Sequence, residues 1–189
     1  DVITKNTNYN NKVNERITAF SGLKSLSTRL VNALQTTDAT TETIGNAKTF
    51  NRKMQGKKAS SSQTPTDPNT PAPNTISTSQ QSYDQLIQHL AGLTSILEAE
   101  TSYTPNETDL QVATLQTKIA DLTAKNTAVA TAYASISNSR IARNETLYSS
   151  STGLVETANE VKKYIKSVFG ASSPQFAQVK GIQFKIIKN

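Results

Sequence analysis

Cysteine and tryptophan are absent from the 189 residues, histidine and methionine occur once each, and aromatic residues make up only 6% of the chain. Without cysteine there is no disulfide, no thiolate nucleophile and no cysteine-ligated zinc. Glycine is also scarce, at seven residues. No glycine-rich stretch offers backbone amides to a phosphate, and no Gly-x-Ser-x-Gly elbow presents a nucleophilic serine. No apolar run approaches the roughly 18 residues of a membrane span, and the first residues carry no signal-peptide core. The chain opens on Asp1 rather than Met, in keeping with a processed or trimmed product. The compartment stays open, with the cytoplasm as the first reading and a secreted or periplasmic location as the other.

What is present is polar. Hydrophobic residues reach 35%, below the roughly 45–50% of an average globular chain, so the core is expected to be thin. Abundant Ser, Thr, Asn and Gln compete with the backbone for hydrogen bonds, so helices here must draw their stability from packing rather than propensity. The net charge is +6 and the pI is near 9.5. This favours solubility and allows attraction to anionic surfaces or nucleic acid without specifying either.

Helical periodicity runs through most of the chain. Val13, Ile17, Phe20, Leu23, Leu26, Leu30, Leu34 and Ile44 step mostly by three or four residues, the spacing of one helical face. The region 9–56 therefore reads as a first helical unit, with a weak, Thr-rich middle at 36–41 and a C-terminal signal at Gly56. Residues 57–79 carry several prolines among small polar residues and read as a flexible loop. Residues 80–104 read as a connecting helix on Tyr83, Leu86, Ile87, Leu90, Leu93, Ile96 and Leu97. Thr104, Pro105 and Glu107 supply a cap, a first-turn proline and an acid, which predicts a tight helical hairpin and a new helix from 105.

The unit 105–170 is the most periodic. Val112, Leu115, Ile119, Leu122, Asn126, Val129, Tyr133 and Ile136 form a heptad seam, with Asn126 either fixing register or facing a neighbouring helix end. Leu147, Leu154, Val161 and Val168 keep a strict seven-residue spacing beyond it. A single helix there would have about 65 residues and span about 100 Å. The poor helix formers at 149–153 favour a turn instead. Laying residues 42–56 on 156–170 matches Glu42 with Glu156, Thr43 with Thr157, Lys48 with Lys162, Phe50 with Tyr164 and Gly56 with Gly170. That is an internal repeat or the chance likeness of two amphipathic helices. Residues 171–189 read as a Ser-Pro helical turn followed by an extended strap through Ile182, Phe184 and Ile186. The expected fold is all-α: an elongated antiparallel bundle of four to five long helices in one domain over 1–189, with coiled-coil character and a short extended tail.

The run Thr152-Gly153-Leu154-Val155, then Val161 to Ala171, then Ser173-Pro174-Gln175-Phe176, resembles the C-terminal signature of uncharacterised bacterial helical proteins. The likeness covers the last fifth to quarter of the chain, and is looser around Leu30 to Ala59. It implies a recurrent bacterial domain and brings no activity with it.

Chemistry is sparse. His89 has neither a second ligand at i+3 nor one at i+4, because those positions are Gly92 and Leu93. Glu98, Glu100, Glu107 and Asp109 cluster around the expected hairpin, and Glu107 and Asp109 are read as complementing a helix N-terminus rather than holding a cation. No catalytic, cofactor or metal residue emerges, and an enzyme is not expected. The one candidate site is a basic cluster, Arg52, Lys53, Lys57, Lys58, Lys162, Lys163 and Lys166, which is either ordinary helix-end charge or an anion-attracting end joined by Lys180, Lys185 and Lys188. The leading expectation is a non-enzymatic structural or protein-interaction module with a protein partner or self-association. The second is a nucleic-acid-associated protein binding phosphate through basic helix ends.

Overall fold

The computed structural model describes residues 1–56 and 81–186. The expected loop at 57–79, with Lys57 and Lys58, lies outside the described residues, as does Lys188. Helix accounts for 78% of what is described, with no strand among those residues, so the all-α bundle expected from the sequence is what forms. Among the described residues seven α-helices follow in order: α1 Val2–Phe20, α2 Leu23–Leu34, α3 Thr41–Gln55, α4 Tyr83–Ala99, α5 Val112–Tyr148, α6 Leu154–Phe169 and α7 Pro174–Lys180. A 3-10 turn at Thr108–Leu110 precedes α5.

Several boundaries differ from the expected ones for local reasons. The first unit begins at Val2, not Tyr9, and is cut twice. Gly22 at φ 80 ends α1, a break the periodicity hid because Phe20 and Leu23 keep the apolar spacing across it. The Thr-rich middle ends α2 as anticipated. Thr36 and Thr37 turn their hydroxyls onto the carbonyls of Ala33 and Leu34, at 2.8 and 2.7 Å, and Thr40 then caps α3 through the amide of Thr43.

The hairpin expected at Tyr103 to Pro105 is a longer connection. Tyr103 is buried and donates its hydroxyl to the carbonyl of Leu110 at 2.9 Å. That bond draws Leu110 into the core, so residues 108–110 form a 3-10 turn and α5 starts only at Val112. Pro105 is therefore not a first-turn proline, and Glu107 and Asp109 precede the first turn of α5, which holds no acid.

The turn favoured at 149–153 is present between α5 and α6. Gly153 is buried there, and a Cβ on it would lie 2.5 Å from the backbone N and O of Ser149. Only glycine fits that crossing. The Ser-Pro signal also forms as read: Ser173 caps α7 by accepting from the amide of Phe176 at 3.1 Å. Residues 181–186 follow without regular structure.

The chain divides into two compact units. The larger, Asn11–Ala130, holds the later part of α1, then α2, α3, α4 and the earlier part of α5. Here α3 packs against both α2 and α4, around Leu30, Leu34, Ala47, Met54, Leu90, Leu93 and Leu97, with Leu115 and Leu122 closing the core from α5. In this unit side chains of α1 meet those of α5, where Lys125 donates to Glu15 at 3.4 Å. Arg16 donates to Asn126 at 3.0 Å, and Asn126 in turn donates to Asp84 in the first turn of α4 at 2.7 Å. The seam asparagine thus joins three helices, and the Arg16 guanidinium lies 3.9 Å from the centroid of the Tyr83 ring beneath it.

The smaller unit combines Asp1–Asn10 with Thr131–Asn189. Within it the start of α1 meets α5 in the opposite chain sense, with Tyr9 and Tyr133 ring centroids 5.8 Å apart and Ser139 donating to Asp1. Ala132 and Ile136 are its buried apolar residues. The other packed pair is α6 with α7.

Candidate functional site

Helix α6 is amphipathic by sequence but buries none of its residues. Its positions separate into two faces. Leu154, Thr157, Val161, Tyr164 and Val168 follow steps of three, four, three and four, which places them on one stripe. All five are exposed. The four large members are 59%, 51%, 70% and 54% accessible for Leu154, Val161, Tyr164 and Val168, and Phe169 beside them is 52%. The heptad continuation of α5 is therefore not a packed seam within the smaller unit. Leu154, Val161 and Val168 keep the spacing but face outward.

The opposite face of α6 carries the lysines. A groove of about 370 Å³ runs between α6 and α7, lined by Glu156, Asn159, Lys162, Lys163, Lys166, Phe176 and Lys180. Lys166 lies 5.9 Å from the Phe176 ring. Lys162 donates to the carbonyls of Lys180 and Ile182 and sits 6.0 Å from the Phe184 ring, which folds the segment after α7 back along α6. Four ammonium groups thus share one groove with a single carboxylate.

Of the basic residues read from the sequence, the structure brings together Lys162, Lys163, Lys166 and, of the three tail lysines, Lys180. Arg52 and Lys53 belong to the larger unit, in the last turn of α3. There Arg52 donates to Thr49 at 2.9 Å and Lys53 lies 5.7 Å from the Phe50 ring. Both are exposed helix-end charge of the kind the backbone dipole favours.

The acidic cluster resolves into separate structural pairings. Asp109 forms a two-pronged ion pair with Arg29 on α2, and this contact holds its carboxyl below the usual carboxylate range. Glu100 accepts from the amide and hydroxyl of Ser102, which lower its pKa in the same sense, and Glu98 accepts from Gln116. His89 is buried, with its ring 6.3 Å from that of Phe50. Among the described residues no group of three or more His, Cys, Asp or Glu is placed to hold a metal ion, and no helix is long and apolar enough to cross a membrane.

No family model, curated protein or solved structure matches this chain. Its site must therefore be read from its own residues.

One signal in the sequence that periodicity does not carry marks α6: the distribution of acids. Glu160 is the last acidic residue of the chain. The 29 residues after it, 161–189, carry six lysines and no Asp or Glu, whereas residues 1–160 carry 14 basic and 14 acidic residues. The whole net charge of +6 therefore resides in the segment that begins in the middle of α6.

Proposed function

We propose that this chain is a non-enzymatic docking module, in which the helical bundle is scaffold and α6 with the segment after it is the face that engages a partner. The observation that carries this reading is the outward stripe Leu154, Val161, Tyr164 and Val168, each more than half exposed. Apolar side chains scattered singly over a surface are ordinary, whereas a contiguous stripe at helical spacing is the kind of surface on which partners bind. The described titratable groups are occupied structurally. Those with displaced pKa values, Glu15, Arg29, Glu100, Tyr103 and Asp109, are each explained by a structural ion pair, hydrogen bond or burial. The run from Thr152 to Phe176 that resembles bacterial helical proteins spans this same face, and we take the docking arm as the recurrent part of the domain.

Site-specific photocrosslinking tests the reading. A photoreactive residue in place of Val161 should yield discrete products in cells, and one in place of Glu42, which is exposed on α3, should not. Equal labelling from both positions, or none from Val161, would remove the basis for calling α6 a docking face.

A second reading, phosphate binding by nucleic acid, is favoured by one observation, the four-lysine groove between α6 and α7. Retention on nucleic acid that falls steeply between low and moderate salt would support it, and a flat response or no retention would sink it.

A further inference from the structure

Two properties that are usually met separately coincide on α6. One is the exposed apolar stripe; the other is a run of lysines without any acid, from Lys162 through Lys163, Lys166, Lys180 and Lys185. Ile182, Phe184 and Ile186 are also exposed, on the segment that Lys162 holds against the lysine face of α6. We propose that α6 and the segment following it seat the protein on an anionic lipid bilayer surface, with α6 lying in the plane of the interface and its stripe entering the headgroup boundary. This deepens the docking reading by naming the partner, and it rests on that reading.

Charge decides among the occupants of such a face. A second copy of this chain would bring another acid-free, six-lysine segment against the first, so the electrostatics oppose self-association. Nucleic acid complements the lysines but leaves Leu154, Val161 and Val168 in water, because single-strand binding draws on aromatic platforms rather than aliphatic stripes. An anionic bilayer takes both. Apolar side chains gain from entering the acyl boundary, and each lysine near the surface contributes by attraction to the negative leaflet. Tyr164 and Phe169 sit on or beside the stripe, where aromatic rings suit an interface that is apolar on one side and wet on the other. A helix of 16 residues, about 24 Å long at 1.5 Å per residue, is long enough to lie in the interface and too short to cross it. Both of the signals that stable surface anchoring needs, an apolar face and a basic cluster, are thus supplied by one continuous segment.

The chain contains no tryptophan, so Tyr164→Trp places a single indole on the exposed stripe. The full chain carrying it is titrated with vesicles of phosphatidylcholine alone and of phosphatidylcholine mixed equally with phosphatidylglycerol, at low and moderate salt. The expected result is a blue shift with co-sedimentation on the mixed vesicles, weakened by salt and much smaller on phosphatidylcholine alone. In the same background Val161→Asp should abolish the shift. Lys163→Gln with Lys166→Gln should weaken it roughly 25-fold, at about fivefold per surface lysine. Circular dichroism of each variant establishes that it is folded. The proposal is overturned if neither vesicle shifts the indole, if both bind equally, or if the shift arises from protein concentration alone or from an oligonucleotide. In the last two cases the docking face stands with a different partner. If Val161 also gives no crosslinked product, the docking reading fails with the proposal.

Discussion

Gly92 lies inside α4, where glycine costs helix stability, and replacing it with alanine would ordinarily be a gain of about 0.5–1 kcal/mol. Here a Cβ at position 92 would meet the Cε1 and Cζ atoms of Phe50 on α3, both at 2.5 Å. Phe50 cannot swing freely, because its ring packs beside His89 at the interface where α3 and α4 meet. Forcing extra volume into such a contact costs about 1–3 kcal/mol, which outweighs the propensity gain and leaves a net loss on the order of 1 kcal/mol.

Gly45 provides the control. It lies inside α3 with nothing within 4 Å of an added Cβ, so Gly45→Ala should realise the ordinary gain. The two variants should therefore differ by about 2 kcal/mol, roughly 4–8 °C in a chain of this length. Urea unfolding followed by circular dichroism measures the difference. Phe50→Leu, which shortens the obstructing ring, should make the double variant with Gly92→Ala less destabilised than the sum of the singles by about 1 kcal/mol. If Gly92→Ala stabilises as much as Gly45→Ala, the close approach of α3 and α4 at Phe50 is refuted.

Tyr103 predicts a pH dependence. Burial, with help from the nearby Glu107 and Asp109 charges, pushes its phenol from 10.0 up to about 12. The folded state thus favours the neutral form. The resulting stability is fully present below pH 10 and is lost as pH rises from about 10 through 12, amounting to about 1–2 kcal/mol once solvent screening is allowed for. Tyr103→Phe should cost about 1 kcal/mol at neutral pH by leaving the Leu110 carbonyl without its donor, and should remove the alkaline loss. The difference in phenolate absorbance between the parent and Tyr103→Phe should titrate well above pH 10; a difference that titrates near pH 10 would contradict this. Asn126→Ala severs the link between Arg16 and Asp84 and should cost about 1–2 kcal/mol in urea unfolding, because both partners are charged but only partly shielded from water. A neutral effect would mean that the seam asparagine faces water rather than joining three helices. Gly153→Ala should lower the melting temperature by at least as much as Gly92→Ala, since the atoms it meets are the backbone of Ser149 rather than a side chain. An unchanged melting temperature would show that the α5–α6 turn tolerates a side chain at that position.

The elements that sequence reasoning placed well are those with a chemical marker at their ends. Gly56 ends α3 in the left-handed conformation and Ser173 caps α7 ahead of Pro174, and both markers are legible because the bonds they make are local. The breaks it missed depend on partners distant in sequence. Gly22 interrupts an apolar face whose spacing is unbroken, so nothing periodic betrays it. Pro105 looks like a helix start, but the bond from Tyr103 to Leu110 and the pairing of Asp109 with Arg29, 80 residues away, hold the chain in a 3-10 turn instead. Among candidate site residues, Lys162, Lys163 and Lys166 were legible as charge. The exposure of the stripe beside them is not legible, because a heptad specifies that a face is apolar and not whether anything covers it.

The account depends most on Val161 and Val168 lying on spare surface rather than in a core. Urea denaturation of the full chain carrying Val161→Ser and Val168→Ser together tests this directly. Exposed positions predict a stability within about 0.5 kcal/mol of the parent. A loss of about 2 kcal/mol or more, the size expected when apolar side chains are removed from a packed interior, would mean that the stripe is covered within this chain and that α6 is not a docking face.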